Sequence, residues 1–178
     1  GYTGTASAEA VAEEIRSLGG RAVASTHSVA TEEGAKAIIQ TALDAFGGID
    51  ILINNAGISI VAPFDEMTSL DIRRHIEVNL LGTIWMCRAA WPYMRAKRYG
   101  RIVNIGSGAF TGYALLGAYG ASKGGLFSLT RSLAAEGAAF GIKVNTVNPG
   151  AFTRMLMAQQ NEASPMYQHA KANLPPEL

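Results

Sequence analysis

A single cysteine, Cys87, stands among the 178 residues, so no disulfide can close within the chain. It falls in an apolar helical stretch, where a lone thiol more often fills space than reacts. Such a thiol suits a reducing compartment, and the expectation is a cytoplasmic protein. Charge of one sign is equally scarce. The formal net charge is +1, and the densest basic stretch is Arg95, Lys97, Arg98 and Arg101. These read as a solvated helix end and loop, so no nucleic-acid partner is expected. No apolar run reaches the roughly 18 residues that a membrane span needs, and Gly1 to Ser7 is polar and small, unlike a signal peptide. His27, His75 and His169 share no metal-ligand spacing, so no metal site is expected. Asp65, Glu66 and Asp71 read as loop and cap residues rather than a catalytic carboxylate pair. What remains is a chain with 48% hydrophobic and 16% charged residues, the composition of an ordered globular domain. No linker or repeat divides it, and residues 1–178 are read as one domain.

Periodicity supplies the elements. Ser7 to Leu18 reads as a helix with Val11, Ile15 and Leu18 on one face, closed by Gly19-Gly20. Arg21 to Thr26 offers a short strand around Ala22, Val23 and Ala24. Thr31 caps a helix striped by Ala35, Ile38, Ile39, Ala42, Leu43 and Phe46, which Gly47-Gly48 ends. Ile49 to Ile53 is a strand too apolar to have a wet face. Thr68, with Asp71 three residues on, caps a helix reaching about Arg95, interrupted at Gly82 and Pro92. Arg101 to Ile105 is a strand, Ala118 to about Phe140 a helix, and Ile142 to Val147 a strand. This alternation predicts an α/β fold, a Rossmann-like doubly wound parallel sheet with helices on both faces. Ligands in such folds sit beyond the carboxyl ends of the strands, which directs attention to the loops after Ile53, Ile105 and Val147.

Tyr119 and Lys123 lie four apart at the start of a helix, so their side chains point the same way. A phenol, with a pKa of about 10, is a poor base near neutral pH. An ammonium beside it favours the phenolate, and the pair can then exchange a proton with an alcohol or ketone. Alone the spacing is common in helices. Ser107, twelve residues earlier at the end of a strand, could donate to the same substrate oxygen. Ile53-Asn54-Asn55-Ala56-Gly57 ends another strand with small residues that let a flat ligand approach the backbone, and asparagines that can tie loops together. Asn148-Pro149-Gly150 ends the last strand similarly. Asn79 sits mid-helix, a poor place for asparagine by propensity. It reads either as a satisfied buried amide or as a functional group behind the lysine.

Together Asn54-Asn55-Ala56-Gly57, Asn79 within Val78-Asn79-Leu80, Ser107, Tyr119-Gly120-Ala121-Ser122-Lys123 and Asn148-Pro149-Gly150 resemble the classical short-chain dehydrogenase/reductase family in kind, order and approximate spacing. The resemblance runs from about Ala8 to Gly150. A looser similarity is to bacterial relatives of the 3-hydroxyacyl-CoA dehydrogenase part of multifunctional enzymes. The resemblance implies hydride exchange between NAD or NADP and a small-molecule alcohol or ketone. It makes Tyr119 the acid/base and has Lys123 lower its pKa and contact the nicotinamide ribose. Ser107 would orient the substrate oxygen, and Asn79 would hold a water in a proton relay. Val29, Asn55, Ala56, Gly57, Pro149, Gly150 and Thr153 would line the cofactor cleft.

The sequence departs from the family pattern in four places. The glycine-rich phosphate loop is absent, since neither Gly1-Tyr2-Thr3-Gly4 nor Gly19-Gly20 follows a strand and opens a helix. The chain ends before the family's last helix and strand. Ser28-Val29 replaces a common Asp-Val facing the adenine. The Ser107–Tyr119 and Gly150–Thr153 spacings are each one residue shorter than usual. The expectation is a chain without the first two strands and the last strand of the fold, part of a longer polypeptide, with apolar sheet surface exposed and a pairing edge open. A non-catalytic Rossmann-like subunit or scaffold is the rival reading. Residues 152–176, rich in Met, Gln, Asn and Pro, read as a surface excursion or a lid over the substrate. The two helices after Thr68 and Ala118 carry more apolar residues than one stripe needs, and a homo-oligomer, dimer or tetramer, is expected.

Overall fold

The computed structural model describes residues 4–150, and side chains from residue 8 onward. Thr153 and residues 152–176 lie outside that range. Helix α1 spans Gly4–Ser17 and α2 spans Glu32–Phe46. Strand β1 is Ile51–Asn54, β2 is Gly100–Ile105 and β3 is Ile142–Val147. Between β1 and β2 run α3, Ser69–His75, a π-helical turn, Ile76–Leu81, and α4, Gly82–Lys97. Helix α5, Gly117–Gly137, joins β2 to β3 after a short 3₁₀ turn at Gly108–Thr111.

The three strands form a parallel sheet in the order β1-β2-β3. Leu52, Ile102 and Val144 share one register line, and all three are buried. Helix α4 packs on β1 and β2, α5 on β3, and α2 on α4. The main core lies between this helix layer and the sheet, around Ala35, Ile39, Met86, Ala90, Met94 and Ile142. Fully burying such a side chain stabilises the fold by roughly 1.5–3 kcal/mol. The alternate residues Ile51 and Ile53 are 59% and 61% exposed. That matches the expected uncovered apolar sheet surface.

Two residues farther along the buried face the line turns polar. Asn54, Asn104 and Thr146 are in register. Asn54 Nδ2 donates to Asn104 Oδ1 at 2.9 Å, and Asn104 Nδ2 donates to Thr130 Oγ1 of α5 at 2.9 Å. Thr146 Oγ1 donates to the same oxygen at 2.9 Å, while Thr130 passes its own proton to Leu126 O. Buried amides are tolerated only when paired. This row pairs them across all three strands, just before the loops at their carboxyl ends.

Several expectations change. The strand at Arg21–Thr26 does not form: residues 20–28 are irregular, and among the described residues no strand lies beside them to complete a ladder. The α1 stripe, Val11, Ile15 and Leu18, stays 41–81% exposed, with no apolar surface of the described chain to meet it. Gly82 does not interrupt its helix. A Cβ there would stand 3.1 Å from Val29 O and 3.2 Å from Val29 Cγ2, so the glycine lets the α1–α2 loop approach. Helix α4 also runs through Pro92, which lies on its exposed side, where the lost backbone bond costs least. The break in regularity is instead the π turn at Ile76–Leu81. Thr68 and Thr31 cap as expected, accepting from Asp71 N and Gly34 N.

The polar row yields a test. Asn104→Ala leaves the Asn54 amide only its bond to Cys87 Sγ at 3.4 Å and removes a donor to Thr130. It is expected to lower the unfolding free energy by about 2–3 kcal/mol in urea titration. A loss below about 1 kcal/mol would show that the row contributes little.

Candidate active site

Ser107 follows β2 and caps the 3₁₀ turn, accepting from Ala109 N at 3.2 Å. Its hydroxyl proton therefore remains to be donated. Tyr119 and Lys123 occupy the first turns of α5 and are 8% and 6% exposed. Tyr119 packs with Ala109, Leu116 and Val61. Lys123 Nζ donates to Ile105 O at 2.6 Å, fixing α5 to the end of β2, and lies 5.7 Å from the Tyr119 ring centre. Ser107, Tyr119 and Lys123 thus meet beyond the carboxyl end of the central strand.

Electrostatically the pair behaves differently from the simple phenol–ammonium picture. Burial pushes the Tyr119 phenol above its ordinary pKa, and the nearby Ser107 hydroxyl pulls the other way. Burial pushes the Lys123 amine below its ordinary pKa. Lys123 bonds the Ile105 carbonyl, and the group that lowers the phenol is Ser107. Both shifts favour neutral forms, the usual response of ionisable groups to loss of water.

Asn79 is fully buried in the π turn. Its Oδ1 accepts from Ile58 N at 2.8 Å, and its Nδ2 donates to Ile58 O at 3.0 Å and to Ser122 Oγ at 3.1 Å. Ser122 in turn donates to Tyr119 O at 2.7 Å. Both amide protons are therefore committed to protein partners, and the buried-amide reading holds together with a place beside the lysine. A Cβ on Gly57 would stand 3.3 Å from Asn79 Oδ1 and 3.8 Å from Lys123 Nζ, so these polar atoms face one small cradle that any larger residue would fill.

The remaining sequence candidates distribute around this centre. Asn55 and Ala56 are exposed in the loop after β1, and Pro149 and Gly150 are exposed after β3. Val29 is partly buried and packs against Gly82 and the core. Gly106, not singled out from the sequence, keys two of the loops together. A Cβ there would stand 2.1 Å from Asn148 Oδ1, and Gly106 N donates to Val147 O at 2.8 Å. Leu115 was also missed. It holds a left-handed φ of 67°, and its carbonyl accepts from Ala62 N at 3.2 Å, joining the loops on either side of Tyr119. A non-glycine residue there costs roughly 1–2 kcal/mol. The shortened Ser107–Tyr119 segment is the only signal that could have pointed to it.

A nicotinamide cofactor fits part of this site. Lys123 uses one of its three protons on Ile105 O, leaving donors for a ribose diol. The Gly57 cradle and exposed Asn55–Ala56 backbone accept a flat group. No described residue supplies a glycine-rich phosphate loop between a strand and a helix.

Comparison with known proteins agrees with this geometry. Residues 3–165 match the family described as short chain dehydrogenase. The chain is 45% identical over 150 residues to the peroxisomal hydratase-dehydrogenase-epimerase of Saccharomyces cerevisiae, covering 83% of this chain and 16% of that protein. It is 41% identical over 143 residues to the 1,6-dihydroxycyclohexa-2,4-diene-1-carboxylate dehydrogenase of Acinetobacter baylyi, covering 80% of this chain and 54% of that one. Among solved structures, NAD+-bound xylitol dehydrogenase superposes with a TM-score of 0.79 at 32% identity, covering 83% of this chain and 57% of that one. A short chain dehydrogenase from Mycobacterium avium gives 0.79 at 38%, covering 83% and 53%. The chain spans 16% of the length of the yeast relative and little more than half the length of the others. With its motifs and its family match over the same residues, this chain belongs to the short-chain dehydrogenase family.

Proposed function

We propose that the intact protein interconverts a secondary alcohol and a ketone, using NAD or NADP. The observation that carries this reading is the convergence of Ser107 and Lys123 on Tyr119 beyond the end of β2. When bound, the cofactor supplies or accepts the hydride. The chain's own groups handle the oxygen and its proton. Ser107 Oγ–H and the Tyr119 O–H both donate to the carbonyl oxygen of a ketone. As charge develops there, the phenol proton passes to it, giving the alcohol and a phenolate. Oxidation runs the same transfer backwards, with Tyr119 as base. Lys123 holds the cofactor ribose and lies beside the phenolate. Asn79 keeps one lone pair on Oδ1 to offer a water beside Lys123 in a relay that returns the proton. Val29, Asn55, Ala56, Gly57, Pro149, Gly150 and Thr153 line the cofactor cleft in this reading.

The resemblance to the 3-hydroxyacyl-CoA dehydrogenase part of multifunctional enzymes guides the substrate search towards hydroxyacyl thioesters, and the name of the Acinetobacter relative guides it towards cyclic dihydrodiols. A homo-oligomer belongs to the same proposal. An apolar groove between α4 and α5, lined by Ile84, Trp91, Pro92, Leu129 and Leu133, would close against a second copy. No described helix is long and apolar enough to cross a membrane, and a cytoplasmic site of action is part of the proposal.

Tyr119→Phe keeps the ring but loses the proton. It is expected to lower kcat at least 100-fold, with cofactor affinity, from fluorescence titration, within a few-fold. Retention of more than a tenth of the wild-type rate would remove Tyr119 from the reaction.

Burial keeps the phenol protonated, the form that ketone reduction requires. Reduction should therefore hold steady from about pH 6 to 8 and fall only as pH rises through the Tyr119 pKa, whereas oxidation climbs with pH. Opposite slopes in rate profiles recorded at saturating cofactor would contradict this.

Lys123 has its pKa depressed by burial, so its contribution to stability is present above the unfolded value of 10.5 and lost as pH falls through the folded one. At pH 7 the buried ammonium is thus a cost to folding. Lys123→Met is expected to leave the Tm at or above that of wild type while activity falls at least 100-fold. A Tm several degrees lower would show that the lysine stabilises the fold.

A further inference from the structure

His75 was read from the sequence only as one of three scattered histidines, yet it is completely buried beside the reacting centre. Its ring makes two hydrogen bonds of fixed sense. Ile60 N donates to Nε2 at 3.0 Å, so Nε2 carries no proton. Nδ1 lies 2.7 Å from Asp71 O, and a carbonyl only accepts, so Nδ1 carries the proton. The same ring stands edge-on to Tyr119, with centres 6.3 Å apart and planes at 68°, a favourable aromatic geometry. One imidazole therefore bonds α3 and the loop after β1, and stands beside the tyrosine that carries the proton.

We propose that His75 is a positioning residue, fixing the Tyr119 ring and the Ile58–Ile60 loop relative to one another. Asn79 holds Ile58 from both its backbone groups, and His75 holds Ile60 from the same helical segment. Ser59, between them, has a buried hydroxyl with no partner among the described residues and so adds no side-chain anchor to the loop. The Asn79 branch reaches Tyr119 only through Ser122 and the Tyr119 backbone carbonyl. The His75 branch reaches the ring through Ile60, whose neighbour Val61 packs on Tyr119. Tilting of that ring about the Cα–Cβ bond moves the phenol oxygen relative to Ser107, and misplacement of a proton donor by an ångström is enough to slow transfer markedly. The neutral Nδ1–H tautomer suits the task because its unprotonated Nε2 can receive the Ile60 N–H, which no apolar residue could do.

The inference rests on Tyr119 being the acid/base, and the variants separate the two claims. Glutamine reaches as far as Nε2, whereas asparagine reaches only as far as Nδ1. Wild type, His75→Gln, His75→Asn, His75→Phe and Tyr119→Phe are compared in the intact protein. The probes are NADH and NADPH, with ethyl acetoacetate and cyclohexanone as ketones. His75→Gln should keep kcat within about threefold of wild type. His75→Asn and His75→Phe should lose about tenfold in kcat, with KM and cofactor Kd within about threefold. Full kcat in His75→Asn and His75→Phe overturns the positioning role. So does an equal loss in all three His75 variants, since that would make the ring mere packing. If His75→Phe does not fold, the Gln–Asn comparison decides alone, because those two differ only in reach. A wild-type rate in Tyr119→Phe, or no turnover by wild type, overturns the proposed function and this inference with it. A wild-type rate in His75→Asn, with Tyr119→Phe dead, overturns the inference alone.

Discussion

The side-chain amide of Asn79 is the constraint on which the rest of the site depends. It pairs with both backbone groups of Ile58 and with Ser122, joining the loop after β1 to the first turns of α5. An asparagine in the middle of a regular helix would compete with that helix's own backbone. Here it occurs in a π turn, where helical regularity is already given up and functional residues often gather. The irregularity and the asparagine explain each other: the turn brings the amide to the loop, and the amide replaces bonds that the loop's backbone would otherwise lack.

Polar burial continues beneath this clamp. Asn54, Asn104, Thr146 and Thr130 form a hydrogen-bonded row across the sheet and into α5, one alternate residue beyond the Leu52–Ile102–Val144 line. The apolar line holds the layers together, whereas the polar row fixes their relative register, because displaced amides would be left unpaired. Lys123 extends this ordering to the next layer through Ile105 O. Tyr119 is consequently held from its backbone, through Ser122, and from its ring, through Val61, Leu116 and His75. A rigid support of this kind suits the proposed role, in which Tyr119 meets a substrate oxygen at hydrogen-bonding distance.

Much of this was legible in the sequence, for stated reasons. Strand β3 was read over the residues it occupies, and β2 to within one residue, because their alternation or apolar character is undiluted and glycine or polar turns flank them. The Tyr119–Lys123 spacing survives because both residues lie on one α5 face. The strand at Arg21–Thr26 failed because local β propensity forms no ladder without a neighbour. Gly82 misled because a glycine in a helix reads as a breaker, whereas its role here is to admit Val29. The fit of Gly106 to Asn148 and the strained φ of Leu115 are long-range or conformational facts that no local pattern carries. The phenol pKa is expected from the sequence to fall, because an ammonium held near the phenolic oxygen favours the phenolate. The structure places both groups out of water, so desolvation opposes the ionised forms.

The most direct measurement is the ionisation of that phenol itself. Ultraviolet difference titration of the cofactor-free protein, wild type minus Tyr119→Phe, isolates the Tyr119 phenolate from the other tyrosines. A buried phenol whose proton is retained for transfer ionises above the ordinary value of 10.0. Ionisation near neutral pH would contradict the dominance of burial and return control of the proton to the Lys123 ammonium.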